Sequence, residues 1–251
     1  MNRRARILVM LLAIAGGLAV AALSLPAAAQ TFNMDFGEGG GLVTSRVVQL
    51  IALLTVLSLA PSILIMVTSF TRIVVVLHFA RTAMGTQQTP PNQVLVSLAL
   101  FLTAFIMMPT LEASYEQGIK PLIAEDIDEF EALDRAIGPV RDFMMDHVRE
   151  PDLLLFVDLS GMTDDEVRPK MPLRVLIPAF MISELRRAFE IGFLIFVPFL
   201  IIDMVVASVL MSMGMMMLPP IIIALPFKII FFVLVDGWHL LVGSLVKSYG
   251  G

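Results

Sequence analysis

Between Ile191 and Phe227 the chain carries a single charge, Asp203, and residues 47–71 and 82–111 carry none. These runs constrain the fold more than any other feature. At about 1.5 Å rise per residue, roughly 20 helical residues cross a hydrocarbon core of about 30 Å. Apolar residues make up 58% of the 251-residue chain and charged ones only 16%, against about 25% charged in a soluble domain. One core of this size cannot hide that much apolar surface. An ordinary cytoplasmic enzyme is excluded, as is a disordered or collagen-like chain. The absence of cysteine excludes disulfides, thiolate nucleophiles, iron–sulfur clusters and Cys-ligated zinc. The formal net charge of −5 argues against nucleic acid as a partner.

The charges are unevenly placed. Residues 112–174 hold 16 of the 22 acids and 7 of the 17 bases. An acidic, water-loving segment thus separates two apolar blocks. Residues 1–29 read as a secretory signal peptide. Arg3, Arg4 and Arg6 form its basic start, and Ala27-Ala28-Ala29 offers small residues for cleavage between Ala29 and Gln30. The alternative is an uncleaved first span. Residues 30–42, rich in glycine, read as a flexible lead-in.

Residues 43–111 are expected to form a first helical hairpin. Its spans are 47–71, kinked at Pro61, and a second run that begins at Pro90-Pro91 and ends at Pro109. Arg72, His78 and Arg81 mark the connecting end as cytoplasmic. The segment 112–174 then lies outside the cytoplasmic membrane. In it, Ile123, Ile127, Phe130, Leu133 and Ile137 predict an amphipathic helix over 122–137. Gly138-Pro139 should end that helix, and Thr163 with Glu166 has capping-box spacing. Asp152 to Leu159 is an apolar piece of undecided type. Residues 175–251 are expected to form a second hairpin, helices 178–212 and 220–246, with a methionine-rich turn between. The fold class is an all-α integral membrane protein of two hairpins around an acidic helical segment.

No enzyme motif is present. His78, His147 and His239 are scattered, so no metal site is indicated, and no catalytic or cofactor-binding pattern occurs. Charges inside apolar helices are the stronger signal. Glu184 to Arg187 and Arg186 to Glu190 have spacings that allow ion pairs, between helices or subunits as well as along one helix. Asp203, Lys228 and Asp236 are intramembrane charges that need partners or water. One alternative makes Asp203 and Lys228 the coupling pair of an ion or small-molecule transporter. Another makes the chain a membrane scaffold. Five of the seven residues 211–217 are methionine. Methionine is flexible and polarizable, and a ring of such turns from several copies would seal a pore and still deform around a passing chain.

Long motifs also carry a resemblance. Met66 to Ile73, Gly85 to Gln93, Pro178-Ala179-Phe180, Ser183-Glu184-Leu185, Gly214 to Pro220, Ala224 to Lys228 and Leu234 to Trp238 resemble the FliP family over about residues 43–249. The flagellar branch fits better than the related virulence secretion systems. The resemblance implies a non-enzymatic, cofactor-free subunit of the flagellar type III export gate. That gate stands in the bacterial inner membrane, at the basal body. Further FliP copies, FliQ and FliR would form a helical channel with it, completed by FlhA and FlhB. Unfolded flagellar subunits would pass through. The methionine turn, Met213, Met215, Met216 and Met217 here, would be the pore gasket.

Overall fold

The computed structural model describes residues 40–162, 171–215 and 218–250. The signal segment with its Ala29–Gln30 junction, the lead-in as far as residue 39, the Thr163–Glu166 pair, Met216 and Met217 lie outside the described residues. The chain divides into two compact units, one ending at Leu54 and the other beginning at Thr55. In the first unit the described residues are helical from Gly40, and helix α1, Gly40–Met66, continues into the second. It includes the last residues of the expected lead-in and runs unbroken through Pro61. Leu53, Leu54, Leu57 and Leu64 on it are 60–65% exposed, and it buries none of its apolar window.

The second unit is built around helix α2, Phe70–Ala83. Its Ile73, Val76, Leu77 and Ala80 recur at helical spacing and are fully buried. They meet Leu95, Ala99 and Leu102 of α3, Asn92–Ser114, Ala188 of α7, Leu173–Ser212, and Leu241 and Leu245 of α9, Gly237–Gly250. The antiparallel arms joined by residues 84–91 are therefore α2 and α3; the expected first arm, 47–71, ends at Met66. Helix α3 passes Pro109 and leads into a π-helical turn, Tyr115–Ile119, and a short α4, Lys120–Ile123.

The expected 122–137 helix is not one element. Glu125 takes a left-handed φ of 60°, and Asp128 then caps a new helix by accepting a hydrogen bond from the Glu131 amide at 2.8 Å. That helix, α5, Glu129–His147, runs through Gly138-Pro139. Its core contacts come from Phe143 and Met144, which pack with Met107, Leu176 and Phe180, while Phe130 is 86% exposed. The undecided apolar piece is helix α6, Glu150–Ser160.

Helix α7 starts earlier than expected, after Pro172, and its 40 residues give about 60 Å of length, twice a hydrocarbon core. It packs along α2, where Gly192 leaves a notch. A Cβ there would lie 2.4 Å from the Phe79 ring, which stands edge-on to Phe189 and Phe196. The expected 220–246 helix is two, α8, Pro220–Leu234, and α9, bent by 61°. Asp236 has φ 51°, and Gly237 lies under the Phe232 ring, where a Cβ would come within 2.3 Å. Gly237→Ala should therefore push Phe232 off Trp238, its edge-on neighbour at 5.3 Å. The expected cost is about 1–3 kcal/mol, read as a lower thermal midpoint in detergent with a change in Trp238 fluorescence. By length and composition α1, the run Asn92–Ile123 and α7 are each able to cross a membrane, and the bent α8–α9 pair makes a fourth candidate.

Candidate functional site

Charges in the apolar helices find partners across helices. Arg72, in the first turn of α2, and Glu184, on the buried face of α7 towards its start, are 1% and 0% exposed. Arg72 Nε donates to Glu184 Oε2 at 2.9 Å and Nη2 donates to Oε1, a two-pronged contact suited to the planar guanidinium. Nη1 donates to the Ser248 hydroxyl at 2.9 Å and the Ser248 carbonyl at 3.3 Å. The Tyr249 ring covers the guanidinium at 3.7 Å, and its hydroxyl donates to Glu184 Oε2. The start of α2, the first third of α7 and the end of α9 are thus tied at one point. A buried ion pair is tolerable only when satisfied this fully.

Glu184 therefore pairs with Arg72 and not with Arg187. The face of α7 with Phe180, Glu184, Ala188 and Gly192 is buried, and Arg187 falls beside it, half-buried and without an ion pair among the described residues. Arg72 likewise adds no exposed positive charge at its end of α2. Arg186 and Glu190 do meet, at 3.0 Å, but both are more than half exposed, where a pair contributes about 0–1 kcal/mol.

Asp203 Oδ2 lies 2.5 Å from Lys228 Nζ, the pair joining α7 to α8. Lys228 sits beneath the end of α2, where a side chain at Gly85 would meet its ammonium group at 3.8 Å. The last carbonyls of a helix favour a cation there. Asp236 stands exposed at the α8–α9 bend. At the other side of the α2–α3 connector, Arg81 donates to Asn92 Oδ1 at 2.5 Å and the Pro90 carbonyl at 3.2 Å. Burial and this guanidinium hold the pKa of His78 below its usual value.

The methionine turn closes α7 with a Schellman arrangement. The Met215 amide donates to the Leu210 carbonyl and the Gly214 amide to that of Met211, both at 3.0 Å, with Gly214 at φ 75°. Met211, Met213 and Met215 are 58%, 61% and 41% exposed.

A family model described as the FliP family matches residues 53–245. The chain belongs to the FliP family. It is 62% identical over 234 residues to the flagellar biosynthetic protein FliP of Caulobacter vibrioides, covering 92% of this chain and 88% of that protein. The Bacillus subtilis protein of the same name is 57% identical over 205 residues, covering 82% and 93%. That of Aquifex aeolicus is 53% identical over 219 residues, covering 86% and 90%. The chain is therefore a helical membrane protein with a structural role in flagellar export, not an enzyme. Sequence reasoning did not reach Ser248 or Tyr249, and it set Arg72 at a membrane edge. The available signal was chemical: Glu184 lies on an apolar helical face and requires a cation from another helix.

Proposed function

We propose that several copies of this FliP-family chain, with FliQ- and FliR-type subunits, form the pore of the flagellar protein export gate in the bacterial inner membrane. Proteins of the FlhA and FlhB type complete the apparatus. Unfolded flagellar subunits pass through the pore, and the acidic segment faces the periplasm. The methionine turn carries this reading. A core stripe would bury its methionines, whereas Met211, Met213 and Met215 project from a capped helix end. From several copies these thioethers form a ring that packs shut and deforms around a polypeptide. The ion pairs Arg72–Glu184 and Asp203–Lys228 act as internal ties that hold α7 and the turn in place.

The test is to replace Met215, Met216 and Met217 together by alanine. The complex should assemble at the wild-type yield, and its membranes should leak small ions, measured as conductance across a bilayer or as sensitivity to a small toxic solute. A tight membrane around an assembled triple variant would make these methionines packing residues and move the seal elsewhere.

A further inference from the structure

His147 takes part in none of the ties described so far. It is the last residue of α5 and is half-buried against the end of α9. Its ring centre lies 4.5 Å from that of Phe143 and 5.1 Å from that of Tyr249. Both ring nitrogens meet backbone carbonyls. Nδ1 lies 2.7 Å from the Phe143 oxygen, one turn back along α5. Nε2 lies 3.3 Å from the Tyr249 oxygen, 102 positions away in the chain.

A carbonyl oxygen can only accept. A neutral imidazole carries one N–H, so it satisfies one of these contacts and turns a lone pair towards the other. The imidazolium carries two N–H groups and satisfies both. The last carbonyls of a helix favour a cation, and two aromatic rings stand within reach of it.

The charged groups around His147 come from each neighbouring helix. On α5 itself Asp142 and Asp146 are exposed and Arg141 is half-buried. From α2 comes Arg72, under the Tyr249 ring, and from α7 comes Glu184, which neutralises it. Arg187 of α7 is half-buried, and Lys247 of α9 is exposed. At the start of α6, Arg149 and Asp152 form a pair at 3.8 Å. The one charge on α3 is Glu112, more than a turn beyond Met107, which packs with Phe143. The two ion pairs cancel. Arg187 and Lys247 oppose a proton on the ring, whereas Asp142, Asp146 and the two carbonyls favour it.

We propose that His147 is a proton-binding clasp between the acidic segment and the end of α9. Protonated, it donates to both carbonyls and holds Tyr249 in place. Neutral, it keeps its proton on Nδ1, whose contact is the shorter, and its Nε2 lone pair faces the Tyr249 carbonyl. The end of α9 then loosens. Tyr249 also covers Arg72 and donates to Glu184, so the buried ion pair feels the state of the clasp. The clasp is closed on the acid side and opens as the pH rises through the range in which histidine titrates, about pH 5 to 8. It does not depend on several copies forming a pore.

Hydrogen exchange on the full chain in detergent reads the clasp directly. Amide protection is followed over residues 245–250 and corrected for the intrinsic effect of pH on exchange. It should fall at least about tenfold from about pH 5 to about pH 8, as a hydrogen bond to a charged group is lost. His78→Gln combined with His239→Gln leaves His147 as the sole histidine and should keep the full response. His147→Gln should give the same protection at both pH values. Flat protection in the unaltered chain overturns the clasp. So does a response that the His78→Gln, His239→Gln double variant loses, or one that His147→Gln retains. Should His147→Gln fail to fold, the first two measurements still decide, because neither alters the site.

Discussion

Arg72→Ala is expected to destabilise the helical unit by about 3–5 kcal/mol, because it leaves the Glu184 carboxylate buried without its cation. The loss has three parts. The two-pronged contact disappears, the bonds from Nη1 to Ser248 disappear, and Tyr249 loses the group beneath its ring. Thermal unfolding in detergent and the yield of assembled complex should both fall sharply. The control decides the cause. Replacing both partners by apolar residues, Arg72→Leu with Glu184→Leu, removes the stranded charge as well as the pair, so most of the stability should return. If the double variant is no more stable than Arg72→Ala, the site matters through shape and not through charge. Arg187→Ala, by contrast, should change stability little, since Arg187 has no ion pair among the described residues.

Gly192→Val should also destabilise the helical unit. A Cβ at this position would come within 2.4 Å of the Phe79 ring and 3.1 Å of Phe79 Cβ, so rotating the ring does not relieve the overlap. Overpacking of this kind costs about 1–3 kcal/mol and occasionally more. The valine methyl groups add to the overlap and force α2 away from α7. Phe79→Ala should itself cost about 3–5 kcal/mol by emptying the notch between Phe189 and Phe196. Combined, the two changes should be less harmful than their sum by at least about 1 kcal/mol, because one vacates the space that the other fills. Strict additivity in thermal unfolding would mean that the two residues do not meet in the native protein.

The long uncharged runs made the helices legible, since nothing else accommodates such stretches. The elements were misjudged where one residue's backbone decides the outcome. Glu125 and Asp236 are not glycines, yet their left-handed φ values divide stretches whose apolar spacing is continuous. Pro109 and Pro139 read as helix ends, but each lies inside a helix. The charged site was half legible. Glu184 stood out as an acid in an apolar helix, while Arg72 sits next to an uncharged run and looked like an interfacial residue. Pairing between residues 112 positions apart leaves no local pattern. The apolar residues from Ile123 to Ile137 read as one amphipathic helix because their spacing is helical, and spacing alone does not tell which face another element covers. Whether methionine side chains from several copies meet was never a question one chain's periodicity can answer.

The length of α7 has a mechanical consequence. Glu184, tied to α2 and α9, acts as a pivot near one end, and Gly214 marks the other. At about 1.5 Å per residue the lever between them is on the order of 45 Å, so a tilt of about 5° at the pivot swings the far tip by about 4 Å. In the pore proposed above, opposed copies that each tilt this much about the fulcrum would change its diameter by several ångströms.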